Sequence, residues 1–216
     1  MQIPKTIQNK LDEGRQYRRF DVAGLELRAE GDEERVVEGY ATTFNQPYLL
    51  WQDGNYEVWE QVDARAFDEC DMRDVIMQYD HRGRVFARNS NDTLQLTVDP
   101  VGLRIRAELG GTEIGRQLYE EISGGYTTKM SFGFKVAEDR QEVTENNEDG
   151  SVTVLRTITK ISKLYDVSAV SLPANDATSI SARSYGEGVI AELRQELLLR
   201  EEHERKRKQI KIMLDL

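Results

Sequence analysis

Hydrophobic and polar positions divide the chain into a strand-rich body and a charged tail. Thr93-Leu94-Gln95-Leu96-Thr97-Val98 and Leu103-Arg104-Ile105-Arg106-Ala107 alternate at period two, as strands with one buried face do. Asp99-Pro100-Val101-Gly102 between them is turn chemistry, so the pair predicts a hairpin. Strands are predicted over 74–80, 84–88, 93–98 and 102–109. Earlier runs, Val36-Val37-Glu38-Gly39-Tyr40-Ala41 and Tyr56 to Val62, have the same character, and Ala64 to Cys70 predicts a short helix with Phe67 inward. Thr112 predicts an N-cap, because Ile114, Leu118 and Ile122 recur at helical spacing behind it and Gly124-Gly125 stops the pattern. A strand then opens at Ser131 and gives way after Val136 to Glu138-Asp139-Arg140-Gln141-Glu142. The acidic stretch Glu145 to Gly150 predicts a solvated hairpin tip, and strand pattern resumes from Val152 to Ser171.

The two ends differ from this body. Residues 1–20 are polar and basic-leaning, without sustained periodicity, and predict a mobile arm or weak helix. Thr178 to Gly188 has linker composition. Beyond Gly186, Val189, Ile190, Leu193 and Leu197 mark one face of a charged helix. The division expected is therefore an arm over 1–20, a folded domain over 21–181, and a linker with a charged helical tail over 182–216. With 38% hydrophobic and 31% charged residues, the chain departs from the globular norm in the direction that such polar ends produce.

Charge and cysteine usage narrow the classes. A net charge of −10 argues against nucleic acid as a partner. No stretch is apolar for long enough to span a bilayer, and the tail helix is too short and too charged for an anchor, so no membrane association is expected. The first residues lack the apolar core of a secretory signal. The single cysteine, Cys70, has no disulfide partner within the chain and gives no metal-ligand spacing, which fits a reducing, intracellular setting with no metal or cofactor.

Candidate chemistry centres on histidine because it is scarce. Of the two histidines, His203 lies among charged tail residues, whereas His81 ends the run Val75-Ile76-Met77-Gln78-Tyr79-Asp80-His81. A serine hydroxyl needs a base within hydrogen-bond reach to act as a nucleophile, and imidazole suits that task. Ser131 is the candidate partner. Taken one at a time, a histidine after a strand, a serine in a strand and an aspartate in a strand are ordinary structural residues.

Their order along the chain says more. Glu38-Gly39-Tyr40-Ala41, Phe44-Asn45, Tyr79-Asp80-His81, Gly102-Leu103 with Ala107-Glu108-Leu109, Met130-Ser131-Phe132-Gly133-Phe134, and Asp166-Val167-Ser168 with Pro173-Ala174 follow one another. In this order and spacing, from about Phe20 to Ser181, the chain resembles the prohead maturation proteases of tailed bacteriophages, a family related in fold to the herpesvirus assembly proteases. The resemblance implies a mainly β fold, a mostly antiparallel β-barrel with a few helices. It implies a serine endopeptidase with Ser131 as nucleophile, His81 as base and Asp166 as the acidic member that orients the base. It further implies major capsid protein and scaffold protein as partners, processing of the protease itself, a possible homo-oligomer, and a location in the host cytoplasm inside the assembling prohead. Two positions depart from the family's usual residues. Asp166 stands where glutamate is more frequent, so either its strand sits closer to His81 or the orienting bond is weaker. Asp80-His81-Arg82 stands where Asn-His-Asp is common. Oxyanion donors are expected from backbone N–H groups near Val167 to Ser171. The alternative is a non-enzymatic scaffold protein that retains the fold. An unrelated esterase fits less well, because the Gly-x-Ser-x-Gly elbow is missing.

Overall fold

The computed structural model describes residues 16–20, 26–28, 35–146 and 150–171, so the expected linker and tail helix lie outside the described residues. Alternation becomes strand as predicted: β6 (Ile76–Tyr79), β7 (Arg82–Arg88), β8 (Leu94–Val98) and β9 (Gly102–Glu108) follow the windows read from the sequence. Ahead of them come β1 (Gln16–Phe20), β2 (Glu26–Arg28), β3 (Val36–Thr43), β4 (Tyr48–Asp53) and β5 (Tyr56–Val62). After them come α1 (Glu113–Ser123), β10 (Lys129–Glu145) and β11 (Val152–Val170). Thr112 caps α1, its hydroxyl accepting from the Gly115 N–H at 3.1 Å, and Leu118 and Ile122 are buried on the inner face.

Two sheets result. The larger has seven strands in the order β1-β10-β11-β5-β4, with β6 added to β11 and β7 added to β6. The smaller has the order β2-β3-β9-β8. The fold is mainly β, but the sheets do not close into the expected barrel. The reason lies in β11, which takes β5 as a parallel partner over Val152 to Ile158 and then β6, also parallel, over Asp166 to Ala169. One long strand with two successive partners on the same edge forks the sheet instead of curling it shut. Among the described residues, β7 pairs only with β6 and β8 only with β9, so those edges remain open.

Three local expectations also change. Gln16–Phe20, assigned to the arm, forms β1 and pairs antiparallel with β10. Ala64 to Cys70 forms successive tight turns, with Ala66, Asp68 and Cys70 N–H groups bonding back to Asp63, Arg65 and Phe67, although Phe67 is buried as expected. β10 continues through Glu138 to Glu142, because its backbone ladder with β11 persists to Glu145 although no side chain beyond Val136 is buried. Gly102 is required where β9 meets the irregular stretch of β3, since a Cβ there would sit 2.0 Å from the Thr42 carbonyl oxygen.

The core gathers Val37, Leu103 and Ile105 of the small sheet with Met77, Met130, Phe132, Phe134, Ile158 and Val167 of the large one. Phe132 and Phe134 stack with centroids 4.3 Å apart, and Phe67 tilts against Phe132 at 6.3 Å. Since side chains alternate along a strand, fixing Met130, Phe132 and Phe134 in the core turns Ser131 and Gly133 to the opposite face.

Candidate active site

That opposite face holds a row of polar side chains. Ser131 is paired in register with Ser168, and Gly133 with Asp166, across β10 and β11. Asp166 and Ser168, two positions apart on β11, therefore project on the same side as Ser131. All three are fully buried. The third strand of this region, β6, aligns Gln78 with Ser168 on the other edge of β11.

His81 reaches this face from a two-residue hairpin. Tyr79 and Arg82 are paired across β6 and β7, leaving Asp80 and His81 as the turn, with φ of 46° and 57°. Both are left-handed, as the turn favoured by strand twist requires, and a histidine in that region carries backbone strain. The turn is bolted down on its far side. The Asp80 N–H donates to the Ala169 carbonyl at 2.9 Å, and the Asp80 carboxylate accepts from the Ser171 N–H at 3.1 Å and the Ser171 hydroxyl at 2.8 Å. The sequence places Asp80 beside His81 but gives no sign of this clamp.

The three residues predicted from the sequence come together. His81 Nε2 lies 2.6 Å from Ser131 Oγ, and His81 Nδ1 lies 2.5 Å from Asp166 Oδ1. The His81 side chain is 7% exposed, so the whole relay is shielded from bulk water and its hydrogen bonds are strengthened accordingly. The shorter aspartate is matched by a strand that sits close enough for full contact. Ser168 was quoted in the sequence pattern without a role. Its hydroxyl donates to the same Asp166 Oδ1 at 2.7 Å.

Within the stretch from which oxyanion donors are expected, most N–H groups are already engaged. Val167 to Ala169 are paired on both edges, by β10 and β6, and the Ser171 N–H is engaged by Asp80. Cys70 is half-buried, and that burial pushes its thiol up to about 12, which keeps it protonated and unsuited to nucleophilic work. No group of three or more metal-ligating side chains occurs among the described residues. A groove of about 430 Å³ opens beside the His81 turn, between β7 and α1. Tyr79, Phe86, Ile114 and Leu118 give it an apolar lining, and Arg82 and Arg84 stand among its polar residues.

No curated protein matches the chain. Among solved structures it is similar to the bacteriophage T4 capsid assembly protease, with a TM-score of 0.38 and 12% identity over 74% of this chain and 98% of that one. Residues 23–189 match the family model described as caudovirus prohead serine protease. That match spans well over half of the sequence, and the chain belongs to the caudovirus prohead serine protease family.

Proposed function

We propose that this protein is a serine endopeptidase that cleaves scaffold protein, or the scaffold-like segment of the major capsid protein, and itself, inside the assembling prohead in the host cytoplasm. One observation carries the reading: the unbroken Ser131–His81–Asp166 relay, at 2.6 and 2.5 Å, held by three different strands or turns. Ser131 Oγ attacks the scissile carbonyl while His81 Nε2 takes the hydroxyl proton. The same imidazole then delivers that proton to the leaving amine, giving an acyl-enzyme. Water attacks the ester with His81 again as base, and Ser131 is regenerated. Asp166 holds Nδ1 protonated and stabilises the imidazolium that forms at each step. The groove between β7 and α1 adjoins the His81 turn and offers an extended substrate segment an apolar bed.

The test is co-expression with the cognate scaffold and capsid proteins, comparing wild type with Ser131→Ala by gel and intact mass. Scaffold cleavage and a shortened protease in the wild type alone are expected. Uncut chains in both would favour the non-enzymatic scaffold reading, and identical cleavage in both would remove Ser131 from the nucleophile's role.

A further inference from the structure

We propose that Ser168 is a positioning residue of this site, acting through Asp166; the proposal rests on the catalytic relay above. Asp166 is fixed by β11 at its backbone, but its carboxylate can still rotate about the bond to Cβ. The hydrogen bond from His81 restrains that rotation from one side. Ser168 supplies a second anchor. Its Oγ lies 2.7 Å from Asp166 Oδ1, the atom that His81 Nδ1 meets at 2.5 Å, so both donors converge on one oxygen. Ser168 is fully buried and belongs to the same strand as Asp166, on the same face, so its geometry relative to the carboxylate is set by the backbone of β11. Its neighbours Val167, Ala169 and Val170 are apolar, and a hydroxyl at this buried position demands a hydrogen-bond partner. Asp166 is that partner. The consequence is a carboxylate locked in the orientation that selects the Nδ1–H tautomer, which leaves Nε2 free to accept from Ser131.

The experiment compares Ser168→Ala, Ser168→Cys and Ser168→Thr in the full chain, each alone and with Asp166→Asn, on a peptide carrying the mapped cleavage site. Ser168→Ala and Ser168→Cys, the latter keeping nearly the same volume with a weak donor, are expected to lower kcat roughly 10- to 50-fold with KM unchanged. Ser168→Thr, which keeps the hydroxyl but adds a methyl to a fully buried site, is expected to keep more of the rate than either. In the Asp166→Asn background, Ser168→Ala is expected to cost little more, because the residue through which it acts has already been altered. Thermal melts of each variant separate this from a folding defect, as Cys and Ala are expected to melt close to wild type. A wild-type kcat in folded Ser168→Ala would overturn the role, as would an undiminished loss in the Asp166→Asn background. Full cleavage by Ser131→Ala would overturn the relay itself, and this role with it.

Discussion

At the scale of single residues, the acidic member of the relay shows how far the sequence reaches. The resemblance leads one to expect a longer carboxylate where Asp166 stands, and the sequence leaves two outcomes open, a closer strand or a weaker bond. The contact of 2.5 Å to His81 Nδ1, with Ser168 on the same oxygen, favours the first. Glutamate at this position therefore adds a methylene to a site with zero exposure, where His81 and Ser168 are already in contact. Overpacking of this kind forces side chains off their rotamers. Asp166→Glu is expected to reduce kcat by on the order of 10-fold or more, while Asp166→Asn, which keeps the shape but favours the wrong tautomer, is expected to cost about 10³–10⁴. Steady-state rates on the mapped cleavage peptide decide this, and a glutamate variant as fast as wild type would show that the site has slack. The sequence singles out His81 because histidine is scarce, and Ser131 because the ordered set of motifs, not the Ser-Phe-Gly-Phe run by itself, resembles the family. Ser168 is not singled out, because its task depends on which strand face the core claims, and that follows only from packing of Phe132 and Phe134.

At the scale of elements, alternation and capping predicted β8, β9, α1 and the hairpin between β10 and β11 because those signals are local. What escaped was longer in range: the forked partnership of β11, the strand at Gln16–Phe20, and the clamp that joins the His81 turn to the end of β11. The clamp makes a specific demand on Asp80. Its φ of 46° is a conformation that aspartate and asparagine tolerate better than alanine does. Its carboxylate also accepts two hydrogen bonds from Ser171. Asp80→Ala loses both features and is expected to destabilise the hairpin by about 1–3 kcal/mol. It is also expected to lower kcat, since a loosened turn misplaces Nε2 against Ser131. Asp80→Asn keeps the left-handed preference and one acceptor, so the milder effect belongs to it. Amide hydrogen exchange at Tyr79 to Arg84, measured beside kcat, checks the link; faster exchange without loss of rate would separate the clamp from the chemistry.

At the scale of the whole molecule, the large sheet is tied by a polar row that crosses five strands. Arg156 of β11 is 1% exposed and bonds Glu60 of β5 at 2.8 Å and Asp139 of β10 at 2.5 Å. Its guanidinium also reaches Gln16 of β1 at 3.4 Å, and Tyr48 of β4 donates its hydroxyl to Glu60. Each strand of the order β1-β10-β11-β5-β4 thus supplies one member. Nothing in the sequence marks Glu60, Asp139 and Arg156 as partners, and Asp139 falls in the stretch where strand pattern gives way; only the pairing of β11 with β5 and β10 draws them together. A buried guanidinium is tolerable while its carboxylates remain, and removing one leaves its charge only partly compensated in a low-dielectric interior. Glu60→Ala is therefore expected to destabilise the fold by on the order of 3 kcal/mol, whereas Glu60→Leu combined with Arg156→Met and Asp139→Asn removes all three charges together and is expected to cost far less. Urea unfolding of the two variants measures the difference. Asp139 and Arg156 sit eight and ten residues away from Ser131 and Asp166 along β10 and β11, so kcat per folded molecule is expected to stay at the wild-type level in both. A triple variant as unstable as Glu60→Ala would mean that the row holds the sheet by its hydrogen-bond geometry, not merely by avoiding a stranded charge.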